Sequence, residues 1–156
     1  MGGLTIPQIE QVAQRIRANI IRMLERAGSG HAAGPLGLSD IMAALYFNVL
    51  NLRTEEPNWS ERDVFIMSNG HCAPVLYATM AERGFFDKQE LLTLRQLGSR
   101  LQGHPERVML PGLETTSGPL GSGLSQAAGV AYSLQYLDKD SKRFVYCMMG
   151  DGELNE

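Results

Sequence analysis

Apolar residues recur at three- and four-residue steps from the start of the chain. Ile9, Val12, Ala13, Ile16, Ile20, Met23, Leu24 and Ala27 form one stripe, the period of an amphipathic helix. Thr5 is placed to cap that helix, Pro7 suits its first turn and Gly28 ends it. A glycine-rich loop occupies 28–37. A second helix is predicted over 39–50, capped by Ser39, with Ile41, Met42, Leu45, Tyr46 and Val49 on its apolar face. The pattern then changes. Val64-Phe65-Ile66-Met67 is an unbroken apolar run of strand formers, stopped by Ser68-Asn69-Gly70-His71, and predicts a buried strand followed by a tight turn.

Pro74 opens a third predicted helix that ends at Gly84. Asp87 with Glu90 has the spacing of a capping box for a fourth, ending at Gly98. The stretch 98–123 holds three prolines and six glycines. Loops this long in a compact domain are usually functional or disordered, and this mixture of fixed and permissive backbone favours function. A helix with a small-residue face (Ala127, Ala128, Gly129, Ala131) is predicted over 124–137, and a second buried strand over 144–149. That strand runs straight into Gly150-Asp151-Gly152.

Helices set between apolar strands predict an α/β domain with a parallel sheet. Two strands among so many helices would leave open sheet edges and bare helix faces. The expectation is therefore part of a larger domain, incomplete at its C-terminal end. No internal repeat or linker interrupts it.

Composition adds exclusions. With 44% apolar and 20% charged residues the chain has ordinary globular composition. Its 14 basic and 17 acidic residues are well mixed, and no basic block offers a footprint for nucleic acid or a membrane surface. No apolar run approaches the roughly 18 residues a membrane helix needs. The first residues lack a basic and apolar leader pattern, and position 6 is Ile, against the myristoylation pattern. Cys72 and Cys147 have neither zinc-site nor disulfide-framework spacing. A cytoplasmic protein with two reduced thiols is expected.

Three places carry candidate chemistry. Each histidine directly follows a glycine in a loop: Gly30-His31, Gly70-His71 and Gly103-His104. A single loop histidine is most often a solvated surface residue. Three in one setting point instead to backbone that approaches a ligand while imidazoles donate to its oxygens. Gly150-Asp151-Gly152 at a strand end is either a β-turn or a carboxylate for Mg²⁺ with glycine N–H groups near phosphate. Ligands gather at the carboxyl ends of strands in open α/β sheets. Gly118-Pro119-Leu120-Gly121-Ser122-Gly123 is a helix-entry loop without the dinucleotide fingerprint, since position 126 is Gln.

Taken in order, Ser29-Gly30-His31 with Gly34-Pro35-Leu36-Gly37, Ser68-Asn69-Gly70-His71, Gly98-Ser99-Arg100 with Gly103-His104-Pro105-Glu106, Thr115 to Gly123, and Gly150-Asp151-Gly152 with Glu156 resemble the transketolase family. The resemblance covers almost the whole chain. The wording at 101–105 is nearer the N-terminal subunits of split, two-chain members. The early loop reads His31-Ala32-Ala33-Gly34-Pro35, where many members of that family have Gly or Pro earlier.

The resemblance implies a thiamine-diphosphate-binding fold: residues 1–156 would be a partial diphosphate-binding domain, with the pyrimidine-binding domain absent. It implies transfer of a two-carbon ketol unit from a ketose phosphate to an aldose phosphate, with thiamine diphosphate and Mg²⁺ as cofactors. His31 and His71 would lie by the diphosphate and substrate, and His104 by donor hydroxyls. Gly118 and Leu120 would meet the aminopyrimidine. Gly150, Asp151 and Gly152 would form the diphosphate end, with Asp151 on the metal and the Gly152 N–H on the diphosphate. Glu156 matches a family glutamate near a dimer interface. The partner implied is a C-terminal transketolase subunit carrying the pyrimidine domain, in a hetero- or homo-oligomer. The isolated chain is expected to be inactive, because the family's activating glutamate and second Mg²⁺ ligand lie outside this sequence. A dihydroxyacetone synthase or deoxyxylulose-phosphate synthase type of transferase and a non-catalytic assembly subunit are the alternatives.

Overall fold

The computed structural model describes residues 3–139 and 141–156. Met1 and Gly2, part of the segment read as lacking a leader, and Asp140 lie outside the described residues. The first helix, α1 (Ile6–Ala27), forms where the apolar stripe predicts it. Val12, Ala13, Ile16, Ile20 and Met23 are buried along it, and Ile9, Leu24 and Ala27 pack against the same core. At its start the Thr5 N–H donates to Gln8 Oε1 at 2.8 Å. At its end the Gly28 N–H closes on Leu24 O at 2.9 Å.

The second predicted helix is divided. A short helix, α2 (Ala33–Gly37), forms inside the glycine-rich loop, and α3 (Ser39–Ala44) follows after Leu38. Ser39 is therefore not a cap: it is buried, and its hydroxyl donates to Pro35 O at 3.1 Å. Beyond Ala44 the helix widens into a π turn over Leu45–Val49, closed by Leu50 N–H on Leu45 O. The wider turn changes the angular spacing of side chains. Met42 and Tyr46 are buried as expected, whereas Ile41 and Val49 stand about half exposed, each at 49%.

Strand β1 (Val64–Met67) is buried throughout. A 3₁₀ turn at Gly70–Cys72 leads into α4 (Ala73–Arg83), whose residues from Ala73 to Ala81 are all buried. The predicted fourth helix is a 3₁₀ segment, Lys88–Thr93. Asp87 caps it through the Gln89 N–H, but Glu90 turns away from the cap to pair with Arg100 at 2.7 Å. A distant partner outcompetes the local capping box. The irregular stretch then runs to α5 (Ser122–Tyr136), and β2 (Val145–Met148) ends the sheet.

Among the described residues the sheet has two strands. They are parallel and pair Val64 with Val145, Phe65 with Tyr146, Ile66 with Cys147 and Met67 with Met148. Side chains alternate across a strand. Phe65 and Met67 enter the large core with α1, α3 and α4, while Val64 and Ile66 meet Ala127 of α5 on the other face. Helices thus cover both faces, the α/β arrangement predicted. Strand β2 is only half-buried along its length. Among the described residues no helix is long and apolar enough to cross a membrane.

Candidate functional site

The carboxyl ends of both strands point the same way, because the strands are parallel. Three segments meet there: 68–71 after β1, 117–123 before α5 and 150–153 after β2. His71 sits half-buried in the 3₁₀ turn after β1. His31, exposed in the loop after α1, brings its ring to 5.1 Å from that of His71, tilted by 58°. His104 is exposed on the long loop with Gly118 beside its ring. Burial, then the charges of His31, His71 and Arg95, push its pKa below the ordinary 6.5. The three histidines that the sequence places in separate glycine loops form one cluster.

A residue not singled out from the sequence holds His104 there. Tyr77 is fully buried in α4, and its hydroxyl donates to Gln102 O at 3.0 Å, with His104 O at 3.3 Å. Arg95 is a second such residue. It is the one non-glycine described residue with a left-handed backbone, at φ 62°. Its N–H donates to Leu101 O, and its guanidinium lies against Gly103. Such a conformation is uncommon outside glycine.

Asp151 is exposed at the start of a 3₁₀ turn, Asp151–Asn155, directly after β2. Gly152 is exposed beside it, with open space where a Cβ would stand. The Gly150 N–H donates to Glu153 Oε2 at 2.7 Å, so it is committed to the protein. Glu153 is the further residue that sequence reasoning missed. It is buried, and it accepts from Ser68 Oγ at 2.6 Å and from Gly121 N at 3.2 Å. Burial alone would raise its pKa. The hydrogen bonds from Ser68, Gly150 and Gly121, with the charge of His71, outweigh that and hold the carboxyl below its ordinary range. Only its place between Asp151 and Glu156 in the glycine-aspartate motif could have drawn attention to it.

Gly118 is half-buried and Leu120 exposed, on the loop entering α5. Glu156 is exposed and packs by Gly121. Gly123 fits against Ser68 with no room for a Cβ, so α5 begins directly over the end of β1. Both thiols are free; burial and then Glu153 push Cys72 up to about 11. Neither suits a reactive thiolate.

Whether these residues fit a cofactor can be tested on the chain itself. Asn69, between Ser68 and Gly70, keeps its Oδ1 buried with no hydrogen-bond donor among the described residues. Buried acceptors are normally paired, so a donor on a bound molecule would complete it. Asp151 is exposed and hard enough as a donor for Mg²⁺. Among the described residues no group of three or more His, Cys, Asp or Glu side chains could hold a metal ion, so Asp151 would act with donors from elsewhere. The residues fit a phosphate-bearing cofactor held through one carboxylate and backbone.

This arrangement defines a cofactor-binding α/β domain with its site at the carboxyl ends of parallel strands. Residues 9–156 match the family described as "Transketolase, thiamine diphosphate binding domain". Human transketolase is 42% identical over 148 residues, covering 95% of this chain and 23% of its own length. The transketolase structure from Leishmania mexicana superimposes with a TM-score of 0.91 at 36% identity, over 95% of this chain and 23% of that one. A Pichia stipitis transketolase solved in complex with sedoheptulose-7-phosphate gives a TM-score of 0.87 at 33% identity, over 95% and 23%. The chain belongs to the transketolase family, in its thiamine diphosphate binding domain. It spans about a quarter of the length of the relatives it matches.

Proposed function

We propose that this chain holds thiamine diphosphate and Mg²⁺ for a transketolase, as a diphosphate-binding domain that works with a partner bearing the pyrimidine-binding domain. The observation that carries the reading is the meeting of His31, His71 and His104 beside the Gly118 loop, at the sheet end where Asp151 stands. Thiamine diphosphate, when bound, supplies the nucleophilic carbon for transfer of a two-carbon ketol unit from a ketose phosphate to an aldose phosphate. Asp151 would ligate Mg²⁺, and the Gly152 N–H would face the diphosphate. Gly118 and Leu120 would line the aminopyrimidine end. His104, kept neutral more readily than an ordinary histidine, can both donate to and accept from a sugar hydroxyl. His31 and His71 would orient the substrate across the diphosphate. Sugar phosphates fit as substrates because a related structure holds sedoheptulose-7-phosphate. Two free thiols agree with a reducing, cytoplasmic compartment.

The test is calorimetric titration of the chain with thiamine diphosphate, with and without Mg²⁺, repeated for Asp151→Ala. Mg²⁺-dependent binding that is lost in the variant is expected. Binding of equal strength in Asp151→Ala would remove Asp151 from the metal site. Ketol transfer by the chain without a pyrimidine-domain partner would overturn the two-part reading.

A further inference from the structure

Glu153 is the one charged residue buried as a whole among the described residues, with 5% of its surface exposed; the Glu82 side chain is as well covered but pairs with Arg15 and Lys88. None of the salt bridges of the described residues includes Glu153. A buried carboxylate without an ion pair persists only where hydrogen bonds replace its hydration. Here three donors do so. Oε1 accepts from Ser68 Oγ at 2.6 Å and Gly121 N at 3.2 Å, and Oε2 accepts from Gly150 N at 2.7 Å. The Ser68 oxygen accepts in turn from Gly123 N at 3.1 Å. The carboxylate also faces the first turn of α5, the end of a helix that favours negative charge.

Those donors belong to three different segments. Ser68 follows β1 and precedes the turn that carries His71. Gly121 ends the loop that carries Gly118 and Leu120. Gly150 leads into Asp151. We propose that Glu153 is the positioning residue for the cofactor end of the site: from inside, it sets the Asp151 turn, the Gly118 loop and the start of α5 in one mutual geometry. The inference rests on the cofactor reading above and adds to it a residue that touches neither metal nor cofactor.

The chemistry of the contact makes the carboxylate hard to replace. Gly121 and Gly150 offer backbone N–H groups, which cannot rotate to become acceptors. A glutamine at 153 has one oxygen and one NH₂. Whichever way its amide is turned, the NH₂ meets one of those N–H groups and leaves it unpaired. An aspartate is one methylene shorter and cannot span both. Ser68 is different, since its loss takes one donor from Glu153, together with the acceptor of the Gly123 N–H, and leaves the Gly121 and Gly150 bonds in place.

The experiment uses the full chain and three variants: Glu153→Gln, Ser68→Ala and, as a stability control away from the site, Arg62→Gln, which breaks the Arg62–Glu114 pair. Two quantities are read for each. One is hydrogen exchange at the Gly121 and Gly150 amides, followed by NMR. The other is Mg²⁺-dependent affinity for thiamine diphosphate, compared at matched distance below each variant's Tm. In Glu153→Gln whichever of the Gly121 and Gly150 amides meets the NH₂ should exchange about tenfold faster and affinity should fall about tenfold, the scale of one buried donor left unpaired. Ser68→Ala should move both readouts in the same direction by less, and Arg62→Gln should lower Tm without moving either. Unchanged exchange at both amides, or unchanged affinity in Glu153→Gln, overturns the proposal. So does an affinity loss that Arg62→Gln reproduces. If Glu153→Gln does not fold, Ser68→Ala decides by the same two readouts. If the unsubstituted chain binds no thiamine diphosphate, the cofactor reading falls, while the exchange of the Gly121 and Gly150 amides in Glu153→Gln still shows whether Glu153 holds those segments.

Discussion

Gly70 lies directly against the backbone of Gly118: a Cβ at position 70 would stand 2.9 Å from the Gly118 nitrogen and 2.9 Å from Ser117 Cβ. The turn after β1 and the loop before α5 therefore touch backbone to backbone, and His71 and His104 approach one another through that contact. Gly70→Ala must push the two loops apart, because neither obstructing atom is the end of a flexible side chain. Overpacking of this kind costs about 1–3 kcal/mol. Urea unfolding should show that loss, and Mg²⁺-dependent cofactor binding should weaken with it. A variant as stable as the parent would mean that the contact is not close in solution.

The histidine cluster makes a prediction about pH. Burial first, then His31, His71 and Arg95, lower the pKa of His104 in the folded chain. The unfolded chain then binds a proton more readily than the folded one, so this group's contribution is fully present above its unfolded pKa near 6.5. It is lost as pH falls from there through the lower folded value. Unfolding free energy should therefore decline as pH drops below that point, and His104→Gln should make the decline shallower. His104 is exposed, so the difference is small. An unchanged slope in the variant would show that His104 feels no net opposition to its charge.

Two glycines of α5 should respond in opposite directions to the same substitution. A Cβ on Gly129 meets nothing within 4 Å, and the residue is exposed inside the helix. Gly129→Ala should stabilise the chain by about 0.5–1 kcal/mol, the helix-propensity difference. Gly123 is buried and its Cβ would collide with Ser68. Gly123→Ala should instead destabilise by about 1–3 kcal/mol. Thermal or urea unfolding of the pair decides it, and a Gly123→Ala chain as stable as the parent would mean that α5 does not begin over β1.

Much of the fold was legible because its cause is local. The stripe from Ile9 to Ala27 gives α1, and the apolar run at 64–67 gives a strand buried on both faces. Where a residue found a distant partner, local reasoning failed. Glu90 pairs with Arg100 instead of closing a capping box, and the segment becomes a 3₁₀ helix. Ser39 donates to Pro35 O and caps nothing. The histidines were legible as a set because each follows a glycine. Tyr77 and Glu153 were not, because a buried tyrosine in an apolar helix and a glutamate in a polar turn carry no local mark of what they hold.

The sequence by itself determined α1, α4, α5 and the two strands, their order and the three glycine-framed histidines, since periodicity and backbone permissiveness act over a few residues. Tertiary structure alone decided that His31 and His71 lie 5.1 Å apart and that the buried Glu153 joins Ser68, Gly121 and Gly150. Such partners come together only when β1 and β2 pair in parallel and α5 closes over them. A carboxylate can be buried there because that closure supplies, all at once, the donors that replace its water.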